Sequence, residues 1–349
     1  MKPVFLLILL MYLSGCSGLT DTTDLEPEAE KELFYQPENF PEVVYNIQEK
    51  PVTKDGFELG RKLFYDGKLS RDGTISCAEC HSQSYAFTHH GHMLSHGIDD
   101  RVGTRNAPAI QNMAFMKSFF WDGGVFDLDL FSIAPIINPL EMDEELGSVL
   151  SKIKADKEYK KLFKAAYGDE EVNTERFLLA LSQFMNSLVS ANSKYDKYVR
   201  NEAGGEMTSD ELAGLRLFEQ KCASCHSGSL FTDQSFRNNG LIIYPRDTPD
   251  PGRFLITENE NDRNKFKVPS LRNIAHTAPY MHDGRFGSLN SVMNHYSEGV
   301  SNTSNLDPIL NQGGKLGIEL NTDEKQKIIA FLNTLSDPDF LSDPRFAAP

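Results

Sequence analysis

Apolar residues recur along much of the chain at helical spacing. Phe177, Leu181, Phe184 and Leu188 fall at i, i+4, i+7 and i+11, the stripe of a helix with one buried face. Leu212, Leu215 and Phe218 repeat the pattern behind Thr208 and Glu211, a capping-box pair that marks a helix start. A third stripe, Ile328, Ile329, Leu332 and Leu335, follows Thr322, Asp323 and Glu324, and the chain breaks at Asp337-Pro338. Sustained apolar/polar alternation is scarce, and the stretch 238–264, rich in Pro, Gly, Asn and Asp, predicts a long loop. The pattern predicts an all-α fold.

The N terminus carries a different pattern. Lys2 precedes an uncharged, mostly aliphatic run from Val4 to Leu13, too short for the roughly 20 residues that span a bilayer. A basic start, a short apolar core and small residues describe an export signal over residues 1–15. Leu13-Ser14-Gly15-Cys16 resembles a bacterial lipobox, which implies cleavage before Cys16, lipidation of its thiol and a membrane-tethered domain. Ser17 after the cysteine implies the outer membrane, and so a lipid-anchored protein on the periplasmic side. Asp21, Asp24, Glu26, Glu28, Glu30 and Glu32 make residues 16–45 an acidic tether.

Composition narrows the class. Hydrophobic residues at 40% and charged residues at 24% of 349 exclude a fibrous or disordered chain and allow two domains. A net charge of -15 repels a phosphate backbone and argues against nucleic acid as a partner. The sequence divides into an N-terminal domain over 46–170 and a C-terminal domain over 171–349, whose last helix packs back on the first.

Beyond Cys16, the cysteines form two pairs, Cys77 with Cys80 and Cys222 with Cys225, each followed at once by a histidine, His81 and His226. Cys-x-x-Cys-His is the attachment motif of c-type haem, in which two thiols join the haem vinyl groups and the histidine ligates the iron. A thioredoxin-like dithiol needs no such histidine, and the pairs lie too far apart for a zinc ribbon. The surroundings repeat as well. Gly60-Arg61-Lys62-Leu63-Phe64 precedes the first motif and Gly214-Leu215-Arg216-Leu217-Phe218 the second, a duplicated helical cytochrome module.

Further phrases line up in order: Arg105-Asn106-Ala107-Pro108, Phe120-Trp121-Asp122-Gly123, Asn138-Pro139-Leu140-Glu141-Met142, Phe266-Lys267-Val268-Pro269-Ser270-Leu271-Arg272-Asn273 and Thr277-Ala278-Pro279-Tyr280-Met281-His282-Asp283-Gly284. Over about residues 55–340 the chain resembles the bacterial di-haem cytochrome c peroxidase and MauG superfamily. The resemblance implies two cytochrome c-like haem domains with long loops and two covalently bound c-type haems. His81 would ligate the peroxide-reacting haem and His226 an electron-relay haem. Trp121, the only tryptophan, matches the residue between the haems, and Glu141 matches the distal acid that moves protons during peroxide cleavage. Asn106, Thr277 and Pro279 match a calcium site of hard oxygen ligands.

Two departures stand out. Ten residues after Trp121, where the family commonly has a distal glutamine, this chain has Phe131. Seven residues after Leu289, where peroxidases place a methionine ligand of the second haem, it has Tyr296, as in MauG-like enzymes. Met293, one turn earlier, is the competing ligand. His89, His90, His92 and His96 lie in the loop where some peroxidases carry a removable histidine ligand, with His96 nearest that position. Four histidines in eight residues also raise a metal site or a plain solvent loop.

Three functions follow. The first is an exported peroxidase that reduces hydrogen peroxide with electrons from a small cytochrome or cupredoxin. The second is a MauG-like oxidase that uses peroxide to modify a side chain of a partner protein. The third is a non-catalytic di-haem electron carrier.

Overall fold

Helices dominate the computed structural model, which describes residues 32–241 and 249–349. In chain order they are α1 (Lys54–Phe64), α2 (Cys77–Cys80), α3 (Leu128–Phe131), α4 (Ile133–Ile137), α5 (Leu146–Ala155), α6 (Lys157–Tyr167), α7 (Thr174–Ser187), α8 (Lys194–Val199), α9 (Ser209–Lys221), α10 (Phe254–Thr257), α11 (Leu289–Asn294), α12 (Thr322–Asn333) and α13 (Pro338–Ser342). Among the described residues, strands are confined to two antiparallel pairs of two residues each. β1 (Phe236–Arg237) lies beside β2 (Phe266–Lys267) with Phe236 opposite Lys267, and β3 (Asn311–Gln312) lies beside β4 (Lys315–Leu316). The all-α expectation thus holds in its coarser form, a helix-rich chain with minimal sheet.

The helix starts are set by side chains that take up otherwise unpaired N–H groups. Thr208 and Glu211 form the predicted capping box of α9, and Asn321 with Glu324 forms another at α12. Asn173 caps α7, whose stripe of Phe177, Leu181, Phe184 and Leu188 is at most 1% exposed. Asp337 caps α13 with Pro338 in its first turn, so the predicted chain break is also a new helix start.

Two helix crossings repeat the same construction. At Gly60 of α1 a Cβ would come within 1.9 Å of the Ala180 carbonyl oxygen and 3.0 Å of Phe184 Cβ on α7. At Gly214 of α9 it would come within 1.9 Å of the Lys327 carbonyl oxygen and 2.9 Å of Phe331 Cβ on α12. Glycine is required at both places because the helix backbones touch. Around each crossing sits an aromatic trio. Phe64 and Phe184 lie 5.0 Å apart with Phe87 against both, and Phe218 and Phe331 lie 5.0 Å apart with Phe231 against both. Such ring pairs contribute about 0.5–1.5 kcal/mol each beyond the area they bury.

Each trio belongs to its own hydrophobic cluster, the first centred on α1 and α7 and the second on α9 and α12. Residues 33–349 nevertheless form one compact unit. Between the clusters, Asn273 donates to Gln111 Oε1 at 2.7 Å and to Ser190 Oγ at 2.9 Å, and its Oδ1 accepts the Asp337 N–H at 2.8 Å.

Three expectations of organisation meet these facts. The acidic tether assigned to 16–45 ends earlier. Leu33 and Phe34 pack on the first cluster, Phe40 is buried edge-on to Phe115 at 5.2 Å, and the N–H groups of Val44 and Tyr45 share the Ala114 carbonyl at 2.9 Å. These apolar anchors outweigh the acidic composition around them. The division between 170 and 171 runs just ahead of α7, yet the side chains of α7 belong to the first cluster with α1. Phe340 and Phe346 near the C terminus also lie in that cluster. The export signal and Cys16 lie outside the described residues, and among the described residues no helix is long and apolar enough to cross a membrane.

Candidate functional site

Ser76 precedes α2, a single turn that presents Cys77 and Cys80 on one side and ends at His81. The His81 N–H returns to the Cys77 carbonyl at 2.9 Å, and His81 Nδ1 meets the Phe87 carbonyl at 2.7 Å. Phe87 turns this carbonyl inward with a left-handed backbone, φ 57°. In the second motif the His226 N–H returns to the Cys222 carbonyl at 3.0 Å, and His226 Nδ1 meets the carbonyl of left-handed Phe231 (φ 53°) at 3.1 Å. Both histidines thus have Nδ1 engaged, which orients the ring, and the Pro269 carbonyl is a further partner of His226. Burial pushes His81 down to about 4 and lowers His226 as well, so both rings stay neutral, the form that ligates metal.

The four cysteines are free. Burial pushes Cys77 and Cys222 up to about 12 and Cys80 to about 11, and raises Cys225. A redox dithiol needs the opposite shift, so buried thiols beside a neutral, oriented histidine fit thioether attachment of haem.

Glu141 is near enough to the first motif for its charge to act on Cys77 and Cys80. Its turn is held by Asn138, whose Oδ1 accepts the Leu140 N–H at 3.0 Å and whose carbonyl accepts the Glu141 N–H at 3.0 Å. Gly97 lets the neighbouring loop press against this turn, since a Cβ there would lie 2.5 Å from Glu141 Cα. Ile98 N–H donates to the Glu141 carbonyl at 2.8 Å, and Cys80 Sγ lies 3.6 Å from the His96 carbonyl. Burial raises the Glu141 carboxyl, partly offset by Asn138, and its charge reaches Cys77 and Cys80.

The loop histidines divide. His89, His92 and His96 have ring centroids 4.4–6.1 Å apart, while His90 stacks on Tyr85 at 3.8 Å. Among the described residues no group of three or more His, Cys, Asp or Glu side chains is arranged to hold a metal ion.

A cavity of about 280 Å³ brings most of the remaining residues together: Trp121, Asn106, Thr277, Pro279, His226, Tyr296 and Met293 all border it. Trp121 Nε1 donates to the Asn106 carbonyl at 2.8 Å, and the Trp121 carbonyl accepts the Lys267 N–H of β2 at 2.7 Å. The Asn106 N–H donates in turn to the His282 carbonyl at 2.7 Å, so Trp121 is fastened to both halves of the chain. Phe131 borders the same cavity, stacked on Phe120 at 4.7 Å, and places an aromatic wall beside Trp121. Met293 is buried among the second cluster, whereas burial pushes the Tyr296 phenol up to about 12 against a hydrogen bond from Asn239.

The family profile described as di-haem cytochrome c peroxidase matches residues 54–204. A cytochrome c551 peroxidase of Nitrosomonas europaea is 36% identical over 295 residues, 83% of each chain. The methylamine utilization protein MauG of Methylorubrum extorquens is 34% identical over 333 residues, 92% of this chain and 89% of that one. The chain belongs to the di-haem cytochrome c peroxidase and MauG family. Among solved structures, a MauG-like protein associated with microbial copper homeostasis is similar with a TM-score of 0.81 and 32% identity, over 90% of this chain and 98% of that one. Membership of the di-haem family makes the chain an oxidoreductase with two c-type haems, the groups that its two motifs fit.

Some residues of this di-haem site escape a reading by motif. Arg105 is clamped between Asp122, the sequence neighbour of Trp121, at 2.5 Å and Asp250 at 2.6 Å. Lys267 buries its ammonium with the Ser118 carbonyl at 2.6 Å, and burial pushes it down to about 8. Arg105, Asp122 and Lys267 stand within the quoted phrases, but Asp250 and Asn239 lie in the loop between them, where no pattern signals a partner.

Proposed function

We propose that this protein reduces hydrogen peroxide at the haem held by Cys77, Cys80 and His81, with electrons that arrive through the haem held by Cys222, Cys225 and His226. The observation that carries the reading is Glu141, a carboxyl raised by burial and facing the first attachment motif. When bound, the haems supply the iron that takes the peroxide and the iron that relays electrons. Glu141 would take the proton from one peroxide oxygen and return it to the leaving oxygen, which departs as the first water, and two electrons supplied through the second haem with two protons from solvent would release the other oxygen as a second water. Trp121, bordering the second-haem cavity and fastened to both halves, is the intermediate stop for the electron. Asn106, Thr277 and Pro279 would hold calcium: they border one cavity wall, and Asn106 spends its amide Nδ2 on the Met93 carbonyl at 3.1 Å. That leaves Oδ1 and two backbone carbonyls as the hard-oxygen set.

A second reading rests on Tyr296, which takes the place of the peroxidase methionine in the second-haem cavity. A phenolate ligand favours ferric iron and eases storage of a second oxidising equivalent, which suits oxidation of a protein partner. Copper-handling proteins are the first partners to try, the setting of the similar MauG-like structure. We further propose that residues up to about 191 form the first haem domain together with the C-terminal segment, and that Cys16 anchors the chain on the periplasmic side of the outer membrane.

Turnover of hydrogen peroxide with a reduced small cytochrome or cupredoxin tests the first reading. Fast turnover supports it. Slow turnover with covalent change in a partner protein supports the second, and no reaction with peroxide at either haem leaves only an electron carrier.

A further inference from the structure

Among the described residues, four lysine and arginine side chains border the cavity that His226 borders, and three of them are already neutralised. Lys221 pairs with Glu324 at 3.6 Å, Arg237 with Asp233 at 2.7 Å and Asp307 at 2.8 Å, and Arg272 with Asp196 at 2.8 Å. Lys267 is the exception. Among the described residues its ammonium has no ion-pair partner, and its hydrogen-bond acceptor is the Ser118 carbonyl at 2.6 Å. Asp122, the carboxylate whose charge reaches it, is spent on Arg105 at 2.5 Å and on the Gly124 N–H at 2.9 Å.

The position of Lys267 is fixed from both ends. Its N–H donates to the Trp121 carbonyl at 2.7 Å, and the residue stands on β2 opposite Phe236 of β1. Backbone and ammonium therefore grip the same stretch, 118–121. An ammonium carries three hydrogens, and one carbonyl satisfies only one of them. Burial pushes Lys267 down to about 8, so it is still mainly charged at neutral pH. A charge against mainly apolar walls is costly without an opposite charge.

Haem brings the missing charge. Its vinyl edge is taken up by the thioether bonds of the attachment motif, and its two carboxylates leave the other edge of the ring. Trp121 spends its single side-chain N–H on the Asn106 carbonyl at 2.8 Å, so the indole does not compete for a carboxylate. We propose that Lys267 binds a carboxylate of the second haem, donating its unspent hydrogens and tying that edge of the ring to the stretch that carries Trp121. The proposal rests on the second haem filling the His226 cavity, and the test separates the two.

The experiment measures both haem potentials and the infrared spectrum of the holoprotein. Lys267→Met keeps most of the stem and removes the charge, and Lys267→Arg restores a cation. Left without its counter-charge, the carboxylate either stays ionised or takes a proton. If it stays ionised, ferric iron is favoured and the second-haem potential falls by the equivalent of about tenfold in the one-electron equilibrium, ~59 mV. If it takes a proton, a carboxylic-acid band appears that the parent lacks. The first haem should keep its potential, and Lys267→Arg should stay close to the parent. If Lys267→Met does not fold, Lys267→Gln removes the charge and keeps a donor for Ser118. Neither a shift nor a new band in the uncharged variant would overturn the proposal. Equal shifts of both haems, or an Arg variant shifted as far as the Met one, would reduce Lys267 to packing. The double variant Cys222→Ala, Cys225→Ala should carry one covalently bound haem fewer. If it still carries two, the placement of the second haem fails and the Lys267 proposal with it.

Discussion

Arg272 and Asp196 form a two-pronged ion pair, 2.8 Å at each prong, with both side chains fully buried. Arg272 also donates to the Ser190 and Ser229 carbonyls, and its guanidinium lies 4.4 Å from the Phe40 ring centroid. One cation thereby ties the N-terminal segment, the end of α7 and the second haem-motif loop. A buried pair of this kind contributes little over an apolar substitute, but leaving one charge without its partner is costly.

Asp196→Asn should therefore destabilise the holoprotein by about 3–5 kcal/mol, read by denaturant unfolding. Burial raises the Asp196 carboxyl, yet Arg272 outweighs it and holds the group below its ordinary 3.8. The stabilisation is complete above that ordinary value and disappears as pH falls through the lower folded value. The Asn variant should lose this acid-limb dependence, and an unfolding curve equal to the parent's at neutral pH would refute the assignment.

Gly60→Ala and Gly214→Ala should each force a helix crossing apart, since the added carbon would overlap a carbonyl oxygen. Overpacking of this kind costs about 1–3 kcal/mol or more. Because each crossing backs one haem motif, each variant should release or misligate its own haem first. Haem-stained gels and separate reductive titration of the two haems check whether the losses are local.

Glu141→Gln keeps the shape of the side chain but cannot exchange the proton. Peroxide activation, followed by stopped-flow absorption, should fall by about 10² to 10⁴. The raised carboxyl must lose its proton to act as base, so in the parent activity should rise with pH through a value above the ordinary 4.5, and that limb should vanish in the variant. A loss below threefold would move the proton relay to another group.

Tyr296→Met replaces an anionic oxygen by a neutral thioether and should raise the potential of the second haem. Met293→Ala should leave the ligand-field spectrum of that haem in place while costing about 2–5 kcal/mol of packing in the second cluster. Electron paramagnetic resonance of the ferric protein distinguishes the two. A low-spin signal altered by Met293→Ala and not by Tyr296→Phe would give the ligand role to Met293.

The elements that sequence alone reveals are those whose cause is local. The stripe from Phe177 to Leu188, the capping box at Thr208 and the two Cys-x-x-Cys-His motifs each lie within about three turns, and the stripe and the box stand where expected. What it hides depends on distant partners. Asp250 meets Arg105 across 145 positions, Asn39 reaches Asp196 across 157, and Phe40 finds Arg272, so nothing near residues 33–45 distinguishes them from the acidic stretch they follow. Phe87 and Phe231 adopt left-handed backbones that sequence does not favour, because each carbonyl must face a ring nitrogen. Of the candidate site, the two Cys-x-x-Cys-His motifs and the di-haem family were legible, whereas the shared cavity of Trp121, Tyr296 and Asn106 required the fold.

The closing segment at the C terminus limits where the chain can be cut. Tyr65 Oη donates to the Phe346 carbonyl at 2.7 Å, Arg61 Nη1 to the Arg345 carbonyl at 3.2 Å, and Gln83 Nε2 to the Asp343 carbonyl at 2.8 Å, all beside the first attachment motif. The first attachment motif is therefore closed on that side by a segment more than 250 positions further along the chain. The second crossing needs only α9 and α12. A chain cut before residue 338 would retain every residue assigned to haem attachment and still be left with an unsealed first site.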